Sequence, residues 1–229
     1  MKAILNTFTS FTTSNCYVVR PFNDDKCFII DLPPDLDSVL EFVKENNLTI
    51  AGALLTHGHY DHALGLQSFD GHAYMNLDDE FLARNPHEQI RTFLGQNVDI
   101  NEYNGKLESI ENLDSKHINI HKNPGHTKGS VSYEFPNEGI IFTGDFVFKD
   151  SIGRTDLFSG SMSEMNTSLK ETFLNFDDDY EILPGHGPSG KVRSIKDNNE
   201  FIKVLLNEFT DRDRLFSTLA HLTVLRLEF

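Results

Sequence analysis

The sequence of 229 residues contains no tryptophan, only two cysteines, and 20 basic residues against 35 acidic ones, so its formal net charge is −15. A surface of that sign repels polyphosphate, which argues against a protein whose main task is to bind DNA or RNA. It also argues against attachment to a membrane surface through clustered lysine and arginine. We therefore expect neither a nucleic-acid partner nor a membrane partner.

Long apolar runs are also missing. No run approaches the roughly 20 residues that span a bilayer. The stretch from Met1 to Thr7 has three apolar residues after Lys2, too few for the apolar region of a signal peptide. Cys16 and Cys27 do not make a disulfide framework, and both fall in β-like runs, so we expect small buried side chains. These absences favour a cytoplasmic protein.

The length fits one large domain, or one domain with a small appendage. In each half of the chain, strand-like apolar runs come first, and strands mixed with helices follow. This order predicts two sheets covered by helices. We assign residues 1–190 to the main domain and residues 191–229 to a C-terminal helical extension packed on it. The apolar stretch Thr210–Phe229 is a packing helix, a partner-binding surface or a tail without a role in the reaction.

Hydrophobic periodicity and turn residues place the individual elements. We predict strands over Lys2–Thr9, Asn15–Arg20, Lys26–Asp31, Thr49–Thr56, Lys116–Lys122, Ser130–Phe135, Gly139–Thr143 and Tyr180–Leu183. We predict helices over Asp35–Asn46, Leu77–Arg84 and Pro86–Leu94, and a helix that opens with a capping box at Ser161.

The most informative stretch is Thr56-His57-Gly58-His59-Tyr60-Asp61-His62, which follows a predicted buried strand. Residues two apart in an extended segment point the same way, so His57 and His59 can converge on one point. Asp61 and His62 can turn toward a second point nearby. Imidazole and carboxylate are ligands that zinc and similar cations accept. The pattern predicts a metal site.

Three later segments strengthen this prediction. In Pro124-Gly125-His126-Thr127, Thr143-Gly144-Asp145 and Pro184-Gly185-His186-Gly187, a ligand-type residue follows glycine at the edge of a β-run. Loops at such edges present functional groups on a rigid scaffold. Each segment alone is a common turn, but the four segments in this order predict a single constellation.

In this constellation the sequence resembles the metallo-β-lactamase-fold hydrolases, and among them the glyoxalase II-like (hydroxyacylglutathione hydrolase-like) branch. The resemblance covers roughly residues 15–198 and implies an α/β fold, a four-layer αββα sandwich with the site at one edge of the two sheets. It implies that one metal is held by His57, His59 and His126, and another by Asp61, His62 and His186. Asp145 would bridge the two.

The chemistry implied by the resemblance is hydrolysis with two divalent ions, zinc first, with iron or manganese as alternatives. Two ions about 3.5–4 Å apart can share a hydroxide that attacks a carbonyl carbon. Asp61 would orient that hydroxide as well as act as a ligand. A small thioester suits such a site because a thiol, with a pKa of about 8.5, leaves with little protonation. The expected partner is a small-molecule thioester of the S-acylglutathione type.

A further motif, Gly153-Arg154-Thr155-Asp156, follows the bridging Asp145 and is similar to both short glyoxalase II-like hydrolases and persulfide dioxygenases. Arg154 and Asp156 would organise the loop beside the metals, or form a pair that only holds the loop. Thr127 is a candidate hydrogen-bonding group behind a ligand.

Two other activities remain open for this fold. One is a mono-iron persulfide dioxygenase, in which His57, His126 and Asp145 would bind the iron. The other is a lactonase, because the ligand sets overlap. A secreted β-lactamase is disfavoured because Asp145 stands where those enzymes often use cysteine, and a nuclease is disfavoured by the net charge.

Overall fold

The computed structural model describes residues 5–21, 25–95, 97–114 and 116–206. Its first sheet has six strands in the order β1-β2-β3-β4-β5-β6. Strands β1 to β3 pair antiparallel, and β3 to β6 pair parallel. The six strands span Leu5–Thr9, Asn15–Val19, Lys26–Ile30, Thr49–Leu54, Ala73–Met75 and Glu108–Ser109.

The second sheet has five strands in the order β11-β10-β9-β8-β7. Only β9 and β10 pair parallel; the other neighbours are antiparallel. The strands span Asn119–Lys122, Val131–Phe135, Ile140–Gly144, Glu181–Pro184 and Gly190–Lys191 for β7 to β11. The strands predicted at 130–135 and 139–143 are β8 and β9, which pair antiparallel as a hairpin.

The helices cover the outer faces of the sheets. They span Asp37–Glu45, Tyr60–Ala63, Glu80–Arg84, Pro86–Leu94, Met162–Glu171 and Val192–Asn198 for α1 to α6, and a further helix begins at residue 200 and is described to residue 206. Helix α4 starts with Pro86 and ends at Gly95, whose φ of 65° is left-handed. Helix α5 is capped by Ser161, whose hydroxyl accepts the Glu164 N–H.

Both faces of the central strands are buried, and successive side chains alternate between two cores. In β2, Cys16 and Val18 pack toward α1, whereas Tyr17 and Val19 pack between the sheets. The same alternation in β9 places Ile141 in the core under α5 and α6. Successive side chains of a strand point to opposite faces, and both faces of these strands lie in apolar cores. Their sequences are therefore continuous apolar runs.

Three cores separate four layers. The first core lies between α1 and the first sheet, the second between the sheets, and the third between the second sheet and the helices α5, α6 and 200–206. The predicted four-layer αββα sandwich is confirmed. Both cysteines are buried and unpaired, as expected. Within the described part of the chain, every helix is too short or too polar to cross a bilayer.

Several elements differ from the predictions. The strand expected to reach Thr56 ends at Leu54, and the helix expected over Leu77–Arg84 begins as a 3₁₀ turn over Leu77–Asp79. The short strands β5, β6 and β11 and the four-residue helix α2 were not predicted, because segments of two to four residues carry almost no periodicity. Helix α6 falls within the predicted helical extension. Residues 192–206 pack on the third core, while residues 207–229, including most of the predicted extension, lie outside the described residues.

Two tyrosines join the sheets across the central core. The Tyr133 hydroxyl in β8 donates to the Leu55 carbonyl at 2.8 Å, and the Tyr17 hydroxyl in β2 donates to the Pro184 carbonyl at 2.6 Å. Leu55 directly follows β4 and Pro184 is the last residue of β10, and both strands lead into loops that carry candidate ligands. The two bonds therefore fix the sheets relative to one another at the edge where those loops begin.

We expect Tyr133→Phe to lower the free energy of unfolding by about 1–3 kcal/mol, because the buried Leu55 carbonyl then lacks its donor. Chemical denaturation measures this change. The matched control is Tyr74→Phe, whose hydroxyl has no hydrogen-bond partner among the described residues, and it should change stability by less than about 0.5 kcal/mol. Equal losses in the two variants would contradict a role for the bond between the sheets.

Candidate metal centre

The candidate ligands lie where strands of both sheets end. His57 and His59 follow β4, and α2, which begins directly after His59, carries Asp61 and His62. Asp145 follows β9 and His186 follows β10, while His126 lies in the loop between β7 and β8. Because β9 and β10 are parallel, their carboxyl ends meet at the same edge. Ligands in open α/β sheets bind at this kind of edge.

The structure brings the predicted ligands together. Three overlapping groups have ligand atoms within 4.8 Å of one another: His57, His59 and His126; His57, His62 and Asp145; and Asp61, His62 and His186. In the first group, His126 Nε2 lies 2.8 Å from His59 Nδ1. In the third, His186 Nε2 lies 3.1 Å from Asp61 Oδ2 and 3.2 Å from His62 Nε2.

Asp145 lies between the first and third groups. Its Oδ1 is 3.5 Å from His62 Nε2, and its Oδ2 is 3.5 Å from His126 Nε2 and 3.6 Å from His186 Nε2. One carboxylate thus faces ligands of both groups, which is the position a bridging ligand requires. The preceding Gly144 has a φ of 51°, and a Cβ there would stand 2.3 Å from Thr56 Oγ1, so only glycine allows this approach.

Backbone carbonyls fix the orientation of two of the imidazoles. His126 Nδ1 donates to the Arg154 carbonyl at 2.8 Å, and His186 Nδ1 donates to the Thr13 carbonyl at 2.9 Å. Each ring therefore keeps its Nε2 lone pair directed at the neighbouring ligands. Such outer hydrogen bonds set the tautomer and orientation of metal-binding histidines.

A buried carboxylate, Asp31, supports two more imidazoles. Its Oδ1 accepts the Thr56 N–H at 2.7 Å, and its Oδ2 accepts both the Thr56 hydroxyl at 2.8 Å and His62 Nδ1 at 2.9 Å. The Thr56 hydroxyl in turn lies 3.0 Å from His57 Nδ1 and accepts its hydrogen. Asp31 has a left-handed φ of 61° directly after β3, which turns the chain at this point.

A second buried carboxylate, Asp79, joins two of the loops. It accepts the backbone N–H groups of Gly58 at 2.9 Å and Gly129 at 2.7 Å, and the Thr127 hydroxyl at 2.6 Å. The loop of His57 and His59 is thereby tied to the loop of His126. Thr127, which we singled out as a hydrogen-bonding group behind a ligand, acts through Asp79 and does not touch an imidazole in these contacts.

The electrostatics of the cluster differ between its two ends. Burial, reinforced by neighbouring imidazoles, holds the pKa values of His57 and His59 well below their usual range. Burial also opposes charge on His62, but the carboxylates of Asp61, Asp145 and Asp31 outweigh it and raise its pKa to about 10. His62 and His186 keep Asp61 ionised by lowering its pKa against the effect of burial. A metal cation bound at this end would replace the protons that otherwise balance the charge of these carboxylates.

The donor set fits divalent metal ions. Two atoms that face the interior of the cluster are buried without any hydrogen-bond partner, namely His57 Nε2 and Asp145 Oδ1. A buried polar atom without a partner is costly, and a bound cation is the ordinary partner for a neutral imidazole nitrogen or a carboxylate oxygen. Nitrogen and oxygen ligands of this kind suit zinc, iron or manganese.

A pocket of about 410 Å³ opens over the cluster. Apart from the candidate ligands, it is lined by Tyr60, Phe93, Phe148, Arg154 and Leu157. The pocket is within the size range of small-molecule sites.

Arg154 and Asp156 stand at the rim of this pocket. The guanidinium donates to both oxygens of Asp156, at 2.7 and 2.8 Å, and both side chains are exposed. Because the Arg154 carbonyl also holds His126, the pair stabilises the loop that orients a ligand.

Sequence reasoning missed Asp31 and Asp79. An acid at the end of a strand just upstream of a His-rich loop is a weak indication that was available for Asp31. Nothing in the sequence pointed to Asp79, which we placed within a helix. Three histidines outside the motif pair with acids away from the cluster, His72 with Glu108, His87 with Glu88 and His121 with Glu134.

Comparison with known proteins agrees with the geometry. The model of the family described as "Metallo-beta-lactamase superfamily" matches residues 9–186. The chain is 30% identical over 196 residues to "Probable metallo-hydrolase YqgX" of Bacillus subtilis, which covers 82% of this chain and 92% of the relative. It is 29% identical over 197 residues to "Hydroxyacylglutathione hydrolase GloC" of Haemophilus influenzae, with coverage of 82% and 92%.

Among solved structures, the chain is similar to the BLEG-1 B3 metallo-beta-lactamase. The TM-score is 0.78 at 26% identity, and the match covers 87% of this chain and 99% of the other.

We expect Asp31→Asn to weaken metal binding about 10–100-fold, the usual effect of removing an outer partner of a metal ligand. The two oxygens of Asp31 accept three hydrogens, whereas an amide has one oxygen and turns its NH₂ toward at least one donor. Titration of the metal-free protein against a chromogenic chelator measures the affinity. The exposed Asp70→Asn is the matched control, and unchanged affinity in Asp31→Asn would contradict the role assigned to Asp31.

Proposed function

The chain belongs to the metallo-beta-lactamase superfamily, and we propose that within it the chain is a glyoxalase II-like hydrolase that cleaves a small thioester. Water adds to the carbonyl carbon, the carbon–sulfur bond breaks, and a carboxylic acid and a thiol leave. The relative from Haemophilus influenzae carries the name of a hydroxyacylglutathione hydrolase, which supports a substrate of the S-acylglutathione type.

We assign His57, His59 and His126 to one divalent ion, Asp61, His62 and His186 to a second, and Asp145 to both. The grouping of ligand atoms supports this assignment. Divalent ions held there, zinc first with iron or manganese as alternatives, would supply the Lewis acidity that lowers the pKa of water and polarises a carbonyl.

The observation that carries the thioester proposal is the shortage of proton donors in the pocket. Outside the candidate ligands, its polar side chains are Tyr60 and Arg154. Burial and the nearby Asp61 raise the pKa of Tyr60, and a guanidinium does not give up its proton. An amine or alkoxide leaving group needs protonation, whereas a thiolate leaves with little help. The pocket therefore suits thioesters better than amides or ordinary esters.

Asp61 has a second role in this proposal. Its carboxylate is ionised and lines the pocket beside His186. From this position it accepts a hydrogen bond from the attacking water and orients it toward the substrate carbonyl. The apolar walls formed by Phe93, Phe148 and Leu157 limit the access of other water.

The charge of the chain is compatible with a small anionic substrate. Two divalent ions would change the formal charge from −15 to about −11, and they would place the positive charge at the pocket. We propose a cytoplasmic protein that acts on a small molecule and binds neither nucleic acid nor membrane. Residues 191–229 are proposed as an extension of the same domain.

The proposal is tested by assaying a panel of acyl thioesters, a lactone and glutathione persulfide on the purified protein, together with its metal content. We expect rapid release of thiol from a thioester and two equivalents of metal. Oxygen uptake with the persulfide, a single iron and no thiol release would instead identify the dioxygenase activity. Turnover of the lactone alone would identify a lactonase.

We expect Asp61→Ala to lose one of the two metal equivalents and to reduce thioester hydrolysis at least 100-fold, because both the second site and the orientation of water depend on its carboxylate. Metal analysis and steady-state kinetics measure the two effects. The exposed Asp70→Ala serves as control and should keep both metals. An Asp61→Ala protein that retains near-normal activity with a single metal would rule out the dinuclear assignment.

A further inference from the structure

An apolar groove of about 210 Å³ lies beside the candidate metal pocket, between helices α3 and α4 and the loop at 157–160. Phe81 and Phe158 face each other across it, with ring centroids 5.8 Å apart. They are 60% and 62% exposed, which is unusual for two phenylalanines in contact. Exposed apolar patches of this kind mark binding surfaces.

The groove adjoins the metal pocket. Phe93 lines both, and its ring lies edge-on against that of His59, with centroids 5.8 Å apart. The neighbouring residues Leu157 and Phe158 line one cavity each: Leu157 lines the pocket and Phe158 lines the groove. A molecule whose reacting carbon lies at the metal cluster can therefore extend into the groove.

The polar side chains of the groove already make hydrogen bonds within the protein. Asn85 Nδ2 donates to the Phe81 carbonyl at 2.8 Å, and the Thr92 hydroxyl donates to the Glu88 carbonyl at 2.8 Å. The buried Gln89 accepts the Tyr60 N–H and donates to two backbone carbonyls, and so ties α4 to the loop of candidate ligands. The groove thus offers apolar surface and few hydrogen bonds to an occupant.

Its one charged wall residue is acidic. Glu88 lines the groove and forms an ion pair with Arg91 one turn further along α4. Among the described residues, the groove lining contains no lysine or arginine, so an occupant that ends in a carboxylate would find no cationic partner there. The size of the groove also limits the occupant, since an apolar cavity of about 150 Å³ accommodates benzene.

We propose that this groove binds the acyl part of the substrate and selects an uncharged apolar acyl chain, of short alkyl or phenyl size, over acetyl and over carboxylate-ended chains. The inference rests on the proposed thioesterase function, because it assigns the acyl side of that substrate to the groove. Phe81, Phe93 and Phe158 are its specificity-determining residues.

The test uses N-acetylcysteamine thioesters of acetate, butanoate, hexanoate and succinate on the metal-loaded protein. Burial of methylenes in the groove should raise kcat/KM by up to about fourfold for each methylene added. The succinyl thioester should fall well below the butanoyl thioester. In the double variant Phe81→Ala, Phe158→Ala, the dependence on chain length should flatten, whereas Phe201→Ala, an equally exposed phenylalanine elsewhere, should leave it intact.

Calorimetric binding of the hexyl and methyl thioethers of N-acetylcysteamine, which cannot be hydrolysed, provides a readout independent of turnover. The hexyl compound should bind the wild type at least tenfold more tightly than the double variant.

Hydrolysis of all acyl thioesters at one rate, with no difference in thioether binding, would overturn the groove assignment and leave the thioesterase function standing. No hydrolysis of any thioester would overturn the proposed function instead. A double variant that alters the oligomeric state but keeps the chain-length dependence would identify the groove as an interface between copies, and would also overturn the inference.

Discussion

The crowding of five imidazoles and two carboxylates at one edge of the sandwich is the constraint on which the rest of the structure depends. Buried polar atoms without partners are costly, and His57 Nε2, His59 Nε2 and Asp145 Oδ1 have none in the chain itself. Cations bound within the cluster would be partners for His57 Nε2 and Asp145 Oδ1 and would offset the charge of Asp61 and Asp145, whereas His59 faces the cluster through Nδ1. The surrounding hydrogen bonds form a frame around the cluster, because they engage imidazole nitrogens that point away from it. They thereby fix the orientation of the nitrogens that face the cluster.

Two buried aspartates, Asp31 and Asp79, accept many of the hydrogen bonds of that frame. Asp31 connects β3 to the loop after β4 and supports His57 and His62, while Asp79 ties that loop to the loop of His126. Each acid accepts three hydrogen bonds and is almost fully buried. A site held by two such acids on rigid sheets has little freedom to relax, which suits a centre that must present several ligands at fixed separations.

The sequence allowed the central strands, the helix at Pro86–Leu94, the capped helix after Ser161 and all seven candidate ligands to be located. Those features are local: short apolar runs bounded by turn residues, a proline and a serine at helix starts, and closely spaced histidines and glycines. The contact of Asp79 with Gly129 spans 50 residues, and the pairing of Phe81 with Phe158 spans 77, so no local pattern carries either of them. The shortest strands were missed because pairing with neighbours, rather than periodicity, defines them.

We propose that this edge holds two divalent ions through the seven side chains. Anomalous diffraction at the zinc edge from crystals of the zinc-loaded protein tests it most directly. We expect two peaks about 3.5–4 Å apart, one among His57, His59 and His126, the other among Asp61, His62 and His186, with Asp145 between them. A single peak, or peaks bound outside this cluster, would contradict it.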